Sequence, residues 1–241
     1  MCNIQKLRTE LRLNADKNRQ KTTKRFFKTK KGEYGEHDKF LGISNPAVRQ
    51  ITKKYHNCNL EQLQKLIISP YNEERFCVLV LLIYHFQKQK DELMTKKDIY
   101  DFYIKNIDYI NNWNLVDISA PHIVGEYLLL CTNKDTKEKL DSLVKSNFQW
   151  QRRICIVSTW AFIKRDDYSY TLKYAKRLLL DREDLMHKAI GWMLREVWKR
   201  DNEVCELFLI ENYSILPRTT LRYAIERMPE QKRKQFLCGN F

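Results

Sequence analysis

Lys188-Ala189-Ile190-Gly191-Trp192 reads as the opening of a helix, a basic residue followed by an apolar run. The same device stands 35 residues earlier at Arg153-Ile154-Cys155-Ile156-Val157 and 34 residues later at Arg222-Tyr223-Ala224-Ile225-Glu226. Arg75-Phe76-Cys77-Val78-Leu79 lies 78 residues before Arg153, two such intervals and a little more. An interval of this size belongs to a helix-pair repeat, in which each pair buries one face on its neighbours. It predicts an all-α fold, an α-solenoid of HEAT-like helical repeats (an α-α superhelix), in preference to a plain helical bundle. In a solenoid, equivalent positions line one face. Arg153, Lys188 and Arg222 are therefore expected on one concave, basic surface.

The rest of the chain agrees. Only 6 Gly and 5 Pro occur in 241 residues, and long segments repeat their apolar positions at helical spacing. Helices are expected at 3–13, 16–28, 46–55, 59–69, 73–88, 96–105, 112–129, 136–146, 150–164, 168–180, 184–200, 202–212, 217–227 and 230–237. Asn45-Pro46 reads as an N-cap with proline in the first turn; Asn59 and Asn72 read as caps with acidic first turns behind them. Pro217 and Pro229 also mark helix starts. Residues 29–42 hold three of the six glycines and form the one long loop. No Gly/Ser-rich linker divides the chain, so a single domain, 1–241, is expected.

With 44 Lys+Arg against 30 Asp+Glu, the chain carries a net +14. Residues 1–60 account for +10 of it, and the block Lys17, Arg19, Lys21, Lys24, Arg25, Lys28, Lys30, Lys31 stands almost without acids. A solvated helix face is the usual meaning of a charge run. Here the run is unbalanced and is interrupted by Phe26-Phe27, which suits phosphate contact beside stacking on sugars or bases. The apolar run Cys77 to Ile83 is far short of the roughly 18–20 residues of a membrane span, and the N-terminus lacks a signal-peptide pattern.

Seven widely spaced cysteines without a C-x-x-C pair read as reduced thiols, in keeping with a cytoplasmic protein. The five histidines form no i,i+4 pair and no metal-binding pattern, so neither a metal nor another cofactor is expected.

Trp113-Asn114-Leu115-Val116-Asp117 places an aromatic and a carboxylate four residues apart, on one helix face. That pair suits a cationic guest, which the ring attracts by its quadrupole and the acid by its charge. Equally, Trp113 can be core and Asp117 or Ser119 the cap of a following helix. Arg152-Arg153 can grip phosphate bidentately or can be a surface pair at a helix start. Gly191 beside Trp192 permits either a ligand or a second helix to approach closely.

Together these segments resemble the AlkD-like DNA alkylation repair proteins, HEAT-repeat alkylpurine DNA glycosylases. The resemblance runs along nearly the whole chain. It is carried by Phe40-Leu41-Gly42-Ile43 followed by Pro46, by Trp113-x-x-x-Asp117, by Arg152-Arg153 and, most specifically, by Lys188-Ala189-Ile190-Gly191-Trp192-Met193-Leu194-Arg195-Glu196. It implies a concave face cradling duplex DNA. Trp113, Asp117 and Trp192 would then stand at the lesion, Asp117 stabilising the oxocarbenium-like sugar and the tryptophans contacting it, without a deep base pocket. Arg153, or its neighbour Arg152, would hold the backbone opposite. Lys188, Arg195, Phe26, Arg25 and Lys28 complete the expected DNA-contacting set. Two departures stand out: Phe26 occupies a position that is Tyr in the better-known branch, and Lys31–Lys39 is an insertion.

The function so implied is a monofunctional glycosylase that removes cationic N3- or N7-alkylated purines from double-stranded DNA in base excision repair. The chain would act as a monomer, in the cytoplasm, at the nucleoid. The alternative within the family is a non-catalytic binder of DNA structure, which the retained Trp-Asp-Trp set disfavours. A protein-binding scaffold would leave the +14 charge unexplained.

Overall fold

Ile4, Leu7 and Leu11 recur at helical spacing and are the buried residues of α1 (Ile4–Leu13), whose N-cap Asn3 accepts a bond from the Lys6 amide at 2.9 Å. This holds in a computed structural model that describes residues 3–88 and 94–241. The chain clusters into two compact units, Met1–Ser119 and Ala120–Phe241, although no linker-like sequence separates them.

In the first unit α1 is followed by α2 (Lys17–Phe26), α3 (Asn45–Thr52), α4 (Leu60–Ile67), α5 (Asn72–Gln87), α6 (Lys96–Lys105) and α7 (Trp113–Ser119). Helix α5 is its centre. Twelve of its 16 residues are buried, which is why its sequence is apolar nearly all round, and α3, α4, α6 and α7 pack on it. Its first turn is buried too. Asn72, Glu73, Glu74 and Arg75 are at most 5% exposed, and each has partners elsewhere in the unit. Asn72 is thus not the exposed cap its sequence suggested; the N-cap is Tyr71, without a side-chain bond. Ser44, not Asn45, caps α3, by accepting from the Ala47 amide at 3.3 Å, which moves Pro46 one position in. The cap at Asn59 forms as a full capping box with Gln62.

The second unit contains α8 (Glu126–Leu128), α9 (Asn133–Val144), α10 (Gln149–Ser158), α11 (Trp160–Ile163), α12 (Ser169–Leu178), α13 (Asp184–Trp198), α14 (Asn202–Glu211), α15 (Arg218–Ala224) and α16 (Glu230–Cys238). The three helices that carry the repeat device lie side by side: α10 packs on α13, and α13 on α15. Gly191 explains the closeness of the last pair. A Cβ there would lie 2.5 Å from the Thr220 carbonyl oxygen and 2.5 Å from Tyr223 Cβ, so the glycine serves helix packing.

Two expected helices are interrupted. The helix expected at 112–129 is broken because Pro121 has no N–H to continue the ladder; residues 121–125 form a π turn closed by Gly125 N–H on the Ala120 carbonyl at 2.8 Å. The helix expected at 150–164 is interrupted at Thr159, where the Ser158 and Thr159 hydroxyls donate back to the Cys155 and Ile156 carbonyls at 2.9 and 2.7 Å. Among the described residues there is no strand beyond an isolated Lys39–Tyr71 bridge, and no helix is long and apolar enough to cross a membrane. The reading of all cysteines as reduced thiols is corrected at Cys58, which is disulfide-bonded and fully buried. Wide spacing along a chain does not keep thiols apart once it folds.

Candidate nucleic-acid interface

Helix α7 begins at Asn112, whose side-chain oxygen accepts from the Trp113 amide at 2.8 Å and whose carbonyl accepts from Leu115 and Val116. Asn112 is completely buried, and its amide donates to Asp38 at 2.6 Å. Asp38 also accepts from Asn72 at 2.9 Å and pairs with Arg75. A second amide pair, Asn72 with Asn114, closes at 2.7 and 3.3 Å. The first turn of α7 is therefore tied to the first turn of α5 and to the end of the long loop. Buried polar groups satisfied in this way hold one geometry, because each unmade bond would leave a desolvated group.

That geometry presents Trp113 and, one turn on, Asp117, both partly exposed. The Trp113 ring stacks on Phe27 with centroids 5.0 Å apart and planes 11° apart; Phe27 stacks in turn on Phe40 at 4.7 Å and 27°. Phe26, 64% exposed, stands edge-on to Trp113 at 5.8 Å. Trp113 is neither buried core nor a loose surface ring. Ser119 is not a cap: it is buried at the end of α7, donates to the Leu115 carbonyl at 2.6 Å and meets the Tyr103 hydroxyl at 3.0 Å. Burial, and to a smaller extent the Asp117 charge, push the Tyr103 phenol up and keep it protonated.

An open groove of about 670 Å³ runs beside this aromatic stack, walled by Phe26, Phe27, Phe40 and Trp113. Its floor includes Glu73, whose carboxylate accepts from the amides of Leu41, Gly42 and Ile43 at 3.0, 2.8 and 3.4 Å. Burial pushes the Glu73 pKa up, against the pull of these amides. The Phe40–Ile43 motif is thus a turn wrapped on one carboxylate. Gly42 takes a φ of +83°, and a Cβ there would collide with the Asp16 carbonyl, so only glycine suits the turn.

Helix α2 forms one side of the groove. It has no buried residue and carries Lys17, Arg19, Lys21, Lys24 and Arg25 without one acid. None of these five forms an ion pair among the described residues. Asp16 is spent as the N-cap, accepting from Asn18 at 2.8 Å and Arg19 at 3.1 Å. The loop beyond is closed on itself: Glu33 and Glu36 accept from the amides of Lys30 and Gly32 at 2.7 Å each, and the Tyr34 hydroxyl donates to the Phe26 carbonyl at 3.4 Å. Lys28 turns through φ +50°, with its ammonium 6.0 Å over the Tyr34 ring. Arg25 and Lys28 are both exposed.

The basic residues expected in the second unit are placed differently. Arg152 donates to both Asp181 oxygens at 2.6 and 3.1 Å and to the carbonyls of Ser146 and Asn147 at 2.9 and 3.0 Å. Arg153 is 5% exposed and donates to the Leu185 carbonyl. Lys188 pairs with Asp184 at 2.7 Å and holds that carboxyl below its usual range. Arg195 pairs with Glu226 and lies 3.8 Å from Glu196. Trp192 is half-buried, and its indole N–H donates to Glu196 at 3.2 Å. Arg153, Lys188 and Arg222 do not reach solvent alike, being buried, intermediate and exposed in turn. Among the described residues no three acidic, histidine or cysteine side chains are grouped as metal ligands.

Sequence reasoning missed Asp38 and Asn112 as the residues that set the Trp113–Asp117 helix, and Glu73 as the carboxylate that holds the 41–43 turn. Only Asn112, a polar residue ahead of a helix, left a local signal.

Comparison with known proteins bears on the fold and the family. A solved structure described as "Predicted DNA alkylation repair enzyme from Enterococcus faecalis" superposes with a TM-score of 0.66 at 16% identity, over 90% of this chain and 98% of that one. At that identity the likeness speaks for the all-α helical-repeat fold. No curated protein matches. The family model described as "DNA alkylation repair enzyme" matches residues 7–228, which takes in the aromatic stack, α2 and all three repeat helices. The chain belongs to the DNA alkylation repair enzyme family.

Proposed function

We propose that the chain is a monofunctional DNA glycosylase hydrolysing the N-glycosidic bond of cationic N3- and N7-alkylated purines in duplex DNA. The observation that carries this reading is the pairing of Trp113 and Asp117 on α7, held from beneath by Asn112 and Asp38 and accompanied by the cations of α2, which form no ion pair among the described residues. An alkylated purine already bears a positive charge. When the bond from C1′ breaks, the base leaves neutral with the electron pair and the sugar becomes oxocarbenium-like. A carboxylate preorganised beside that sugar stabilises the developing charge and orients a water. Water adds at C1′ and releases its proton. Trp113 contacts the cationic sugar through its ring. No amine nucleophile takes part, so the strand stays intact.

Lys28 and the cations of α2, Arg25 among them, contact phosphate through their exposed side chains, with Phe26 of the same helix beside Arg25. Lys188 and Arg195 exchange exposed carboxylate partners for phosphate, a small cost for surface pairs. Arg152 and Arg153 act from inside, fixing the loop around residues 146–147 and the first turn of α13. The chain works as a monomer on nucleoid DNA.

Release of methylated purines from alkylated duplex DNA tests the reading. Wild type is expected to release 3-methyladenine- and 7-methylguanine-type bases, and Asp117→Asn to slow release by about 10²-fold or more. DNA binding by wild type without any release over hours would leave the non-catalytic reading in its place.

A further inference from the structure

We propose that the groove beside Trp113 is a binding site for an unpaired nucleobase; this rests on the reading that DNA is the ligand. At about 670 Å³ the groove is far larger than a packing crevice and falls within the roughly 300–1,000 Å³ of small-molecule sites. Its walls suit a flat heteroaromatic ring. Phe26 is 64% exposed, yet it is fixed edge-on against Phe27 at 5.3 Å and 86° and against Trp113 at 5.8 Å and 75°. A large exposed ring held this firmly is a stacking platform, since every base has a π-face to offer it.

The groove also carries groups that read a base edge. The Thr23 hydroxyl and the Asn45 amide line it and make no hydrogen bond among the described residues. A side-chain amide offers both a donor and an acceptor to a base. Glu73 is 5% exposed, and its oxygens already accept from three backbone amides. Arg19 lines the groove from α2 and forms no ion pair there, so a phosphate has a cation where a base would enter. A base inside an intact duplex is stacked on both faces and offers only its edges. The ligand is therefore a base already out of the stack, as at a bulge.

The test is equilibrium binding of the full chain to two labelled duplexes that differ only by one single-nucleotide bulge. Wild type is expected to bind the bulged duplex about tenfold tighter, the effect of one base on an aromatic platform. Thr23→Trp fills the groove, keeps every α2 cation and alters a helix with no buried residue. It is expected to bind both duplexes alike, at the wild-type affinity for paired DNA. If that variant fails to fold, Phe26→Leu keeps apolar bulk without the ring and is expected to lose the same preference. Equal affinity of wild type for both duplexes, or a preference that survives Thr23→Trp, would overturn the inference. With purine release intact, either result strikes this site alone; absence of any DNA binding would strike the repair reading as well.

Discussion

The cations of α2 and those of α10 and α13 look alike in the sequence and end differently in the fold. Helix α2 leaves Lys17, Arg19, Lys21, Lys24 and Arg25 facing solvent with no carboxylate partner among the described residues. On α10 and α13, Arg152, Lys188 and Arg195 each hold a carboxylate, and Arg153 is buried on a backbone carbonyl. Net charge does not separate the two sets. The partners do, and a cation already paired must give something up to meet a phosphate.

Arg152 is the strongest place to break this contrast. With 15% exposure against 4% for Asp181, the pair is part-buried, and removing one partner strands the other in a poorly solvated place. Arg152→Ala is expected to lower unfolding free energy by about 3 kcal/mol while leaving the salt dependence of DNA binding unchanged. A shallower salt slope with normal stability would place Arg152 on DNA instead. Next in size is the double change Lys24→Ala with Arg25→Ala. It is expected to reduce the slope of log affinity against log salt by about 2, with thermal stability near wild type; an unchanged slope would remove α2 from the interface. The smallest effect belongs to Asp184→Asn, which removes the Asp184 carboxylate from Lys188. Binding should tighten by about twofold at low salt, the worth of a modest surface ion pair. No change would set Lys188 away from the phosphates.

Most of the fold was legible because it depends on local pattern. The repeat device at Arg153, Lys188 and Arg222 gave the adjacency of α10, α13 and α15, and Asn59 capped its helix as read. The failures have one physical form: a partner distant along the chain. Asp38 meets residues 34, 37 and 74 positions away, and Glu73 binds a turn about 30 positions back. Nothing at Asn72 distinguishes a buried amide from an exposed cap until Asp38 and Asn114 arrive. Arg152 likewise gave no sign in the sequence of Asp181, 29 positions on, which meets its guanidinium fork. For the candidate site, Trp113, Asp117 and Phe26 were visible as residues. The Phe40–Phe27–Trp113 stack and the groove beside it were not, because they join three segments of the chain.

The central claim is that α7 presents one carboxylate to an alkylated nucleotide. The most direct measurement is the rate of alkylpurine release from methylated duplex DNA by wild type and Asp117→Asn, at matched DNA affinity. The account predicts release by wild type and a loss of about 10²-fold or more in the variant. Equal release by both would contradict it.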